Sequence, residues 1–222
     1  MALFSCEPPI TTVGHDLQRP ECVLACASGR LYVSDGRGGV TSIAPDGSQR
    51  MIGRGSLVPN GIALCRDGSF LVANLGAEGG VWRIGADGQA APFLQEIDGR
   101  VLPRVNFVTL DLQERIWVCV SALATEDAYP IHDKTGFIIL IDNRGARIVA
   151  DGLQYTNECR VDASARHVFV NETFGRRLTR FALSRDGALG ERTTFAEFSR
   201  GVQQASNLTK RLDVGEEIGN DD

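Results

Sequence analysis

The sequence predicts an all-β fold, a β-propeller built from four-stranded blades, and three observations carry that expectation. Short β-rich runs recur while helix-period segments are scarce, 25 glycines punctuate the runs, and a polar residue, Glu or Asn, opens the same pattern four times. The openers are Glu21, Asn60, Asn106 and Asn157, separated by 39, 46 and 51 residues. Glu21 leads ECVLACASGRLYVSD, Asn60 leads NGIALCRDGSFLVAN, Asn106 leads NFVTLDLQERIWVCV and Asn157 leads NECRVDASARHVFVN. Each stretch reads as a first strand, a turn rich in Gly, Asp or Ser, and a second strand of β-branched and aromatic residues.

A third strand follows each time, in GVTSIAP, GVWRIGA, GFIILID and RLTRFAL. A second turn (PDGS, ADGQ, DNRGA, RDGA) leads to a fourth run in QRMIG, APFLQ, ARIVA and RTTFAEF. Asp-Gly between alternating strands marks a hairpin, because both residues tolerate positive φ. Four antiparallel strands in a unit of roughly 40–50 residues match a propeller blade. A β-sandwich also has short strands and regular turns, but it gives no reason for a polar residue at one phase of every unit. In a propeller the first strand of each blade lines the central channel, so the four openers converge at one end of it.

One carboxylate and three amides form a set of hard oxygen donors, suited to Ca2+, Mg2+ or Mn2+ rather than to thiophilic metals. The competing role for each asparagine is a turn cap at the start of a strand. Asparagine is otherwise depleted from strands, and four openers in phase favour a shared polar cavity.

Four segments carry a family resemblance: PECVLACASGRLYVSD, VPNGIALCRDGSFLVANL, PRVNFVTLDLQERIWVCVSA and GLQYTNECRVDASARHVFVNETFGRRLTRF. Over about residues 18–198 the chain resembles the regucalcin/gluconolactonase (senescence marker protein) family. The resemblance implies a six-bladed propeller that hydrolyses sugar lactones with one divalent cation at the channel mouth, Ca2+ foremost and Zn2+, Mg2+ or Mn2+ as alternatives. It implies Glu21 and Asn157 as metal ligands and Arg104 and Asn106 as substrate-binding residues, with Asn60 as a further lining residue. The catalytic base is not assigned: the family's fifth-unit Asp, both ligand and base, is replaced by Ala205 near its expected position. Glu158 is adjacent to Asn157, yet successive strand residues point to opposite faces, so it is expected to be a poor substitute.

The organisation expected is an N-terminal segment at 1–17, the blades at 18–198 and a divergent, disordered polar tail at 199–222. Four units against the six implied suggest a truncated or divergent member, with impaired activity and with blade edges free for self-association. A non-catalytic propeller serving as a binding or assembly module is the alternative. The net charge of −5 and the lack of a Lys/Arg block argue against a nucleic-acid partner. No apolar run approaches the length of a membrane span, and the first residues make a poor signal peptide, so a cytoplasmic location is expected. The six cysteines lack paired zinc-ligand spacing and are expected as buried, reduced thiols. His15, His132 and His167 show no triad or metal spacing, no GxSxG elbow occurs, and the GRGG at 36–39 is a hairpin rather than a phosphate loop.

Overall fold

The computed structural model describes residues 11–122 and 134–198. Among these residues there is no helix, and eighteen strands follow one another along the chain. Sixteen of them form four antiparallel sheets of four, each in simple sequential order. Blade 1 contains β1 (Val23–Ala25), β2 (Leu31–Asp35), β3 (Gly39–Ile43) and β4 (Gln49–Ile52). Blade 2 contains β5 (Pro59–Leu64), β6 (Phe70–Asn74), β7 (Val81–Ile84) and β8 (Ala90–Leu94). A two-stranded hairpin, β9 (Glu96–Ile97) with β10 (Arg100–Val101), precedes blade 3. Blade 3 contains β11 (Phe107–Leu110), β12 (Ile116–Val120), β13 (Gly136–Asp142) and β14 (Gly145–Leu153). Blade 4 contains β15 (Thr156–Val161), β16 (His167–Glu172), β17 (Arg177–Leu183) and β18 (Leu189–Glu197).

The innermost strands pack in chain order, β1 on β5, β5 on β11 and β11 on β15, which is the arc of a propeller. Strand alternation then assigns each side chain to one inter-blade seam. Phe70, Val72 and Ile84 pack with Val40 and Ile52 of blade 1, whereas Leu71, Ala73 and Val81 pack with Val108, Val118 and Ile139 of blade 3. Blades 2 and 3 are therefore covered on both faces, and every residue of β6 is buried.

The two ends of the arc differ. The far face of blade 1 carries the N-terminal lead-in. Gly14 lies against Ile43 and Gln49, and Gln49 exchanges hydrogen bonds with His15, 2.9 Å each way. In blade 4 the described residues cover only one face: Val168, Val170, Phe181 and Leu183 are buried against blade 3. On the other face Phe169 is half-buried and meets Phe195, which is 56% exposed, at 5.0 Å between ring centroids.

The hairpin β9–β10 was not expected, although Asp98-Gly99 announces it. Both residues have positive φ, 51° and 73°, as a two-residue hairpin loop requires. The thiols also need a correction. Cys22, Cys119 and Cys159 are buried and all five described cysteines are free, but Cys26 and Cys65 sit half-buried in turns; Cys6 lies outside the described residues. His15 is exposed beside Asp16 and His167 faces Asp162 across a turn, so both are surface or hairpin residues, while His132 lies outside the described residues. Among the described residues no helix is long and apolar enough to cross a membrane.

Candidate functional site

The four openers stand at the same end of the four innermost strands, but backbone irregularity rather than regular pleating sets them there. Glu21 lies two residues ahead of β1 and Asn106 one residue ahead of β11. Asn60 falls within a register shift of the β5–β6 pairing, between Pro59 and Ile62. Asn157 is the extra residue of a bulge, since Thr156 pairs with Glu172 while Glu158 pairs with the adjacent Asn171. Bulges re-aim side chains at the ends of sheets.

The bulge overturns the expectation for Glu158. Thr156 and Cys159 are buried, with Asn157 and Glu158 half-buried between them. Two bulged residues oppose one partner, so Asn157 and Glu158 lie on one side of the strand, together with Asn171. A regular strand would have separated them. Arg160 Nη2 lies 3.9 Å from Glu158 Oε2 and stacks over Phe107 at 4.6 Å.

Three of the openers form one network. Asn60 Nδ2 donates to Asn106 O at 2.7 Å and to Asn106 Oδ1 at 2.9 Å. Asn60 Oδ1 accepts from Arg19 Nη1 at 3.0 Å, and Arg19 Nη2 lies 3.3 Å from Glu21 Oε1. The Glu21 carboxylate is 38% exposed. Its backbone is fixed by Ser34, whose Oγ accepts the N–H groups of Glu21 at 3.1 Å and of Cys22 at 2.9 Å. Asn106 donates its own N–H to Cys119 O at 3.1 Å, and its side-chain nitrogen has no partner among the described residues.

Asn157 is held separately. Its Nδ2 donates to Thr173 Oγ1 at 3.0 Å, leaving Oδ1 without a partner among the described residues. Blade 4 reaches blade 3 through Arg160, whose Nη1 donates to Thr109 Oγ1 at 2.9 Å. Burial pushes the Cys22 thiol up, its contact with Ile62 O opposes that, and the same thiol feels the charges of Arg160, Glu158 and Glu21. Arg104, half-buried, lies two residues before Asn106. Ala205 lies outside the described residues.

The donors present fit a hard divalent cation in kind. Glu21 offers a carboxylate, Asn157 an unpartnered amide oxygen, and Asn60 and Asn106 further amide oxygens. No group of three or more His, Cys, Asp or Glu side chains suited to a metal occurs among the described residues, so amides dominate the set. Sequence reasoning missed Arg19, Ser34 and Thr173. Ser34 alone had a visible signal, as a small polar residue inside the apolar run LYVSD; the other two are placed by tertiary contacts.

Comparisons with known proteins agree with this architecture. The family described as SMP-30/Gluconolactonase/LRE-like region matches residues 20–213. A gluconolactonase from Xanthomonas campestris superposes with a TM-score of 0.69 at 22% identity, covering 82% of this chain and 64% of its own. A luciferin-regenerating enzyme superposes with a TM-score of 0.66 at 13% identity, covering 83% of this chain and 62% of its own. Virginiamycin B lyase from Staphylococcus aureus gives a TM-score of 0.56 at 15% identity, covering 78% and 54%. The chain thus spans less than two thirds of the length of each of these structures. No curated protein sequence matches the chain.

Proposed function

The chain belongs to the SMP-30/gluconolactonase/LRE-like family, and from that premise we propose that its channel mouth hydrolyses a sugar lactone with the help of a divalent cation, Ca2+ foremost. The observation that carries this reading is the network from Asn106 through Asn60 and Arg19 to Glu21, which joins oxygen donors of different blades at one end of the innermost strands. Glu21 and Asn157 would hold the ion. When bound, the cation supplies Lewis acidity towards the lactone carbonyl.

The remaining work falls to this chain's own side chains. Asn60 locks the Asn106 amide by donating to its oxygen, so the Asn106 nitrogen is left to donate to a carbonyl or hydroxyl oxygen of the sugar. Arg104, two residues upstream, is assigned to the same substrate oxygens. Hydrolysis needs a base to take a proton from the attacking water as the ring C–O bond opens to the hydroxy acid. With Ala205 where the resemblance places an aspartate, Glu158 becomes the candidate, because the bulge turns it to the side of Asn157. Such a replacement base predicts slow turnover.

Hydrolysis of glucono-δ-lactone by the purified chain, followed by acid release at constant pH, tests this. Slow turnover that EDTA abolishes and Glu21→Gln lowers at least tenfold is expected. Turnover indifferent to both changes would remove the cation from the reading.

One observation favours the alternative, a non-catalytic assembly module. The Phe169–Phe195 pair on the face of blade 4 that the described residues leave open, with Arg180 5.9 Å from the Phe195 ring, would suit a second copy of the chain. In that case sedimentation gives a dimer, Phe195→Ser returns it to monomer, and no lactone is consumed. A monomer at all concentrations dismisses this reading.

A further inference from the structure

Arg19 joins the oxygen donors of the mouth, yet the scheme above gives its own conformation and positive charge no task. Its φ is +45°, in the left-handed region, and the next residue is Pro20. Non-glycine residues avoid positive φ, and a following proline narrows the choice further towards extended backbone. Strain of this kind persists only where surrounding structure enforces it, and it gathers at functional sites. Here the flanks are pinned: Gln18 O accepts the Gly36 N–H at 2.6 Å, and Ser34 Oγ holds the Glu21 N–H at 3.1 Å. The kinked backbone delivers a guanidinium into the mouth, where its two terminal nitrogens engage different blades. One meets Asn60 Oδ1 of blade 2 at 3.0 Å and the other Glu21 Oε1, ahead of β1, at 3.3 Å.

We infer that Arg19 is a built-in counter-cation of the channel mouth, bridging Glu21, assigned above to the divalent cation, and the lining amide of Asn60, and that it must withdraw before such an ion can bind. This rests on the reading of the mouth as a cation site. Two consequences follow from the contacts. The guanidinium shares a Glu21 oxygen with any incoming ion, and like charges at that distance repel. It also fixes the Asn60 amide, with Oδ1 turned to Arg19 and Nδ2 donated to Asn106. Withdrawal therefore releases a carboxylate oxygen and an amide oxygen together. A plain surface ion pair would not need a left-handed residue before proline, nor would it hold an amide on a neighbouring blade.

Titration calorimetry of the full chain with Ca2+, and separately with Mn2+, tests the inference. Arg19→Gln is expected to lower Kd at least fivefold for both ions. Arg19→Lys, whose single ammonium cannot span both acceptors in the same planar geometry, is expected to fall between. This second variant keeps the test open should the first fail to fold. Tighter binding in Arg19→Gln that Glu21→Gln then abolishes supports the inference and assigns the site. Equal or weaker binding in both Arg19 variants overturns it, while leaving the cation site intact if Glu21→Gln still removes binding. Absence of binding in every form overturns the cation site and the inference together.

Discussion

Glu172→Ala is expected to cost the fold about 3–5 kcal/mol, the usual loss when one member of a buried ion pair is removed. Glu172 ends β16 and is fully buried. Its carboxylate accepts from Arg177 at 2.9 and 2.8 Å, from Arg192 at 3.0 and 3.2 Å, from the Gln154 N–H at 2.8 Å, and from the Thr179 hydroxyl. Removing it strands two guanidiniums and a backbone donor just before β15. Burial alone would raise this carboxyl, but Arg177, the Gln154 amide, Thr179 and Arg192 outweigh it and hold it below the ordinary glutamate value. The sign follows from that depression. The contribution is complete above the unfolded value, about 4.3, and is lost as pH falls through the folded value. Urea midpoints of wild type and variant should differ strongly at pH 7 and draw together in acid. A difference below about 1 kcal/mol at pH 7 would show that the network is merely tolerated.

The same position recurs in other blades. Asp35 ends β2 and is gripped by Arg37 at 2.9 and 2.6 Å and by Thr41 at 2.9 Å. Asn74 ends β6, accepts from Val58 N–H and Gly76 N–H at 2.9 Å each, and donates to Gly79 O at 3.1 Å. These polar ends of second strands tie down the chain around the mouth. Asp35 and Asn74 were visible in the repeat as the final residues of LYVSD and FLVAN, each 14 residues after its opener, whereas the bulge sets Glu172 one residue further from Asn157. Isolated in sequence they look like turn residues, because burial depends on the neighbouring strand.

Other features divide along the same line. The four blades were legible because strand alternation and Asp-Gly turns act over a few residues. The convergence of Asn60 and Asn106 was legible because propeller topology turns a repeated phase into a ring. The bulge at Asn157 was not, since it exists only in the register of β15 against β16, and no local pattern in TNECRV announces an extra residue. Arg19 escaped for a related reason: its role depends on a left-handed backbone ahead of a proline, a conformation sequence rules advise against. The half-buried Cys26 and Cys65 occupy equivalent first turns, each closed by a backbone bond, Cys26 to Arg30 O and Cys65 to Ser69 O. The apolar runs around them suggested core.

Gly61→Val should destabilise the protein by about 3 kcal/mol, at the upper end of ordinary overpacking, and should weaken cation binding with it. The cause is an approach between backbones. A Cβ at Gly61 would stand 2.6 Å from Phe107 Cδ2, 2.7 Å from Phe107 Cα and 2.8 Å from Val108 N. A side chain can swing aside, but two of these three atoms belong to the backbone of β11. That approach also lets Gly61 N–H reach Asn106 O at 3.1 Å, which sets Asn60 beside Asn106. Parting the two innermost strands therefore breaks the amide pair at the mouth, so stability and affinity fall together. Gly68→Ala is the control: its φ is +80° and a Cβ there meets nothing within 4 Å, so it should cost about 1–2 kcal/mol of backbone strain and leave affinity unchanged. Thermal midpoints and Ca2+ titrations on both variants separate the cases. If Gly61→Val loses stability but binds the ion as wild type does, the contact between β5 and β11 supports the fold without positioning the mouth.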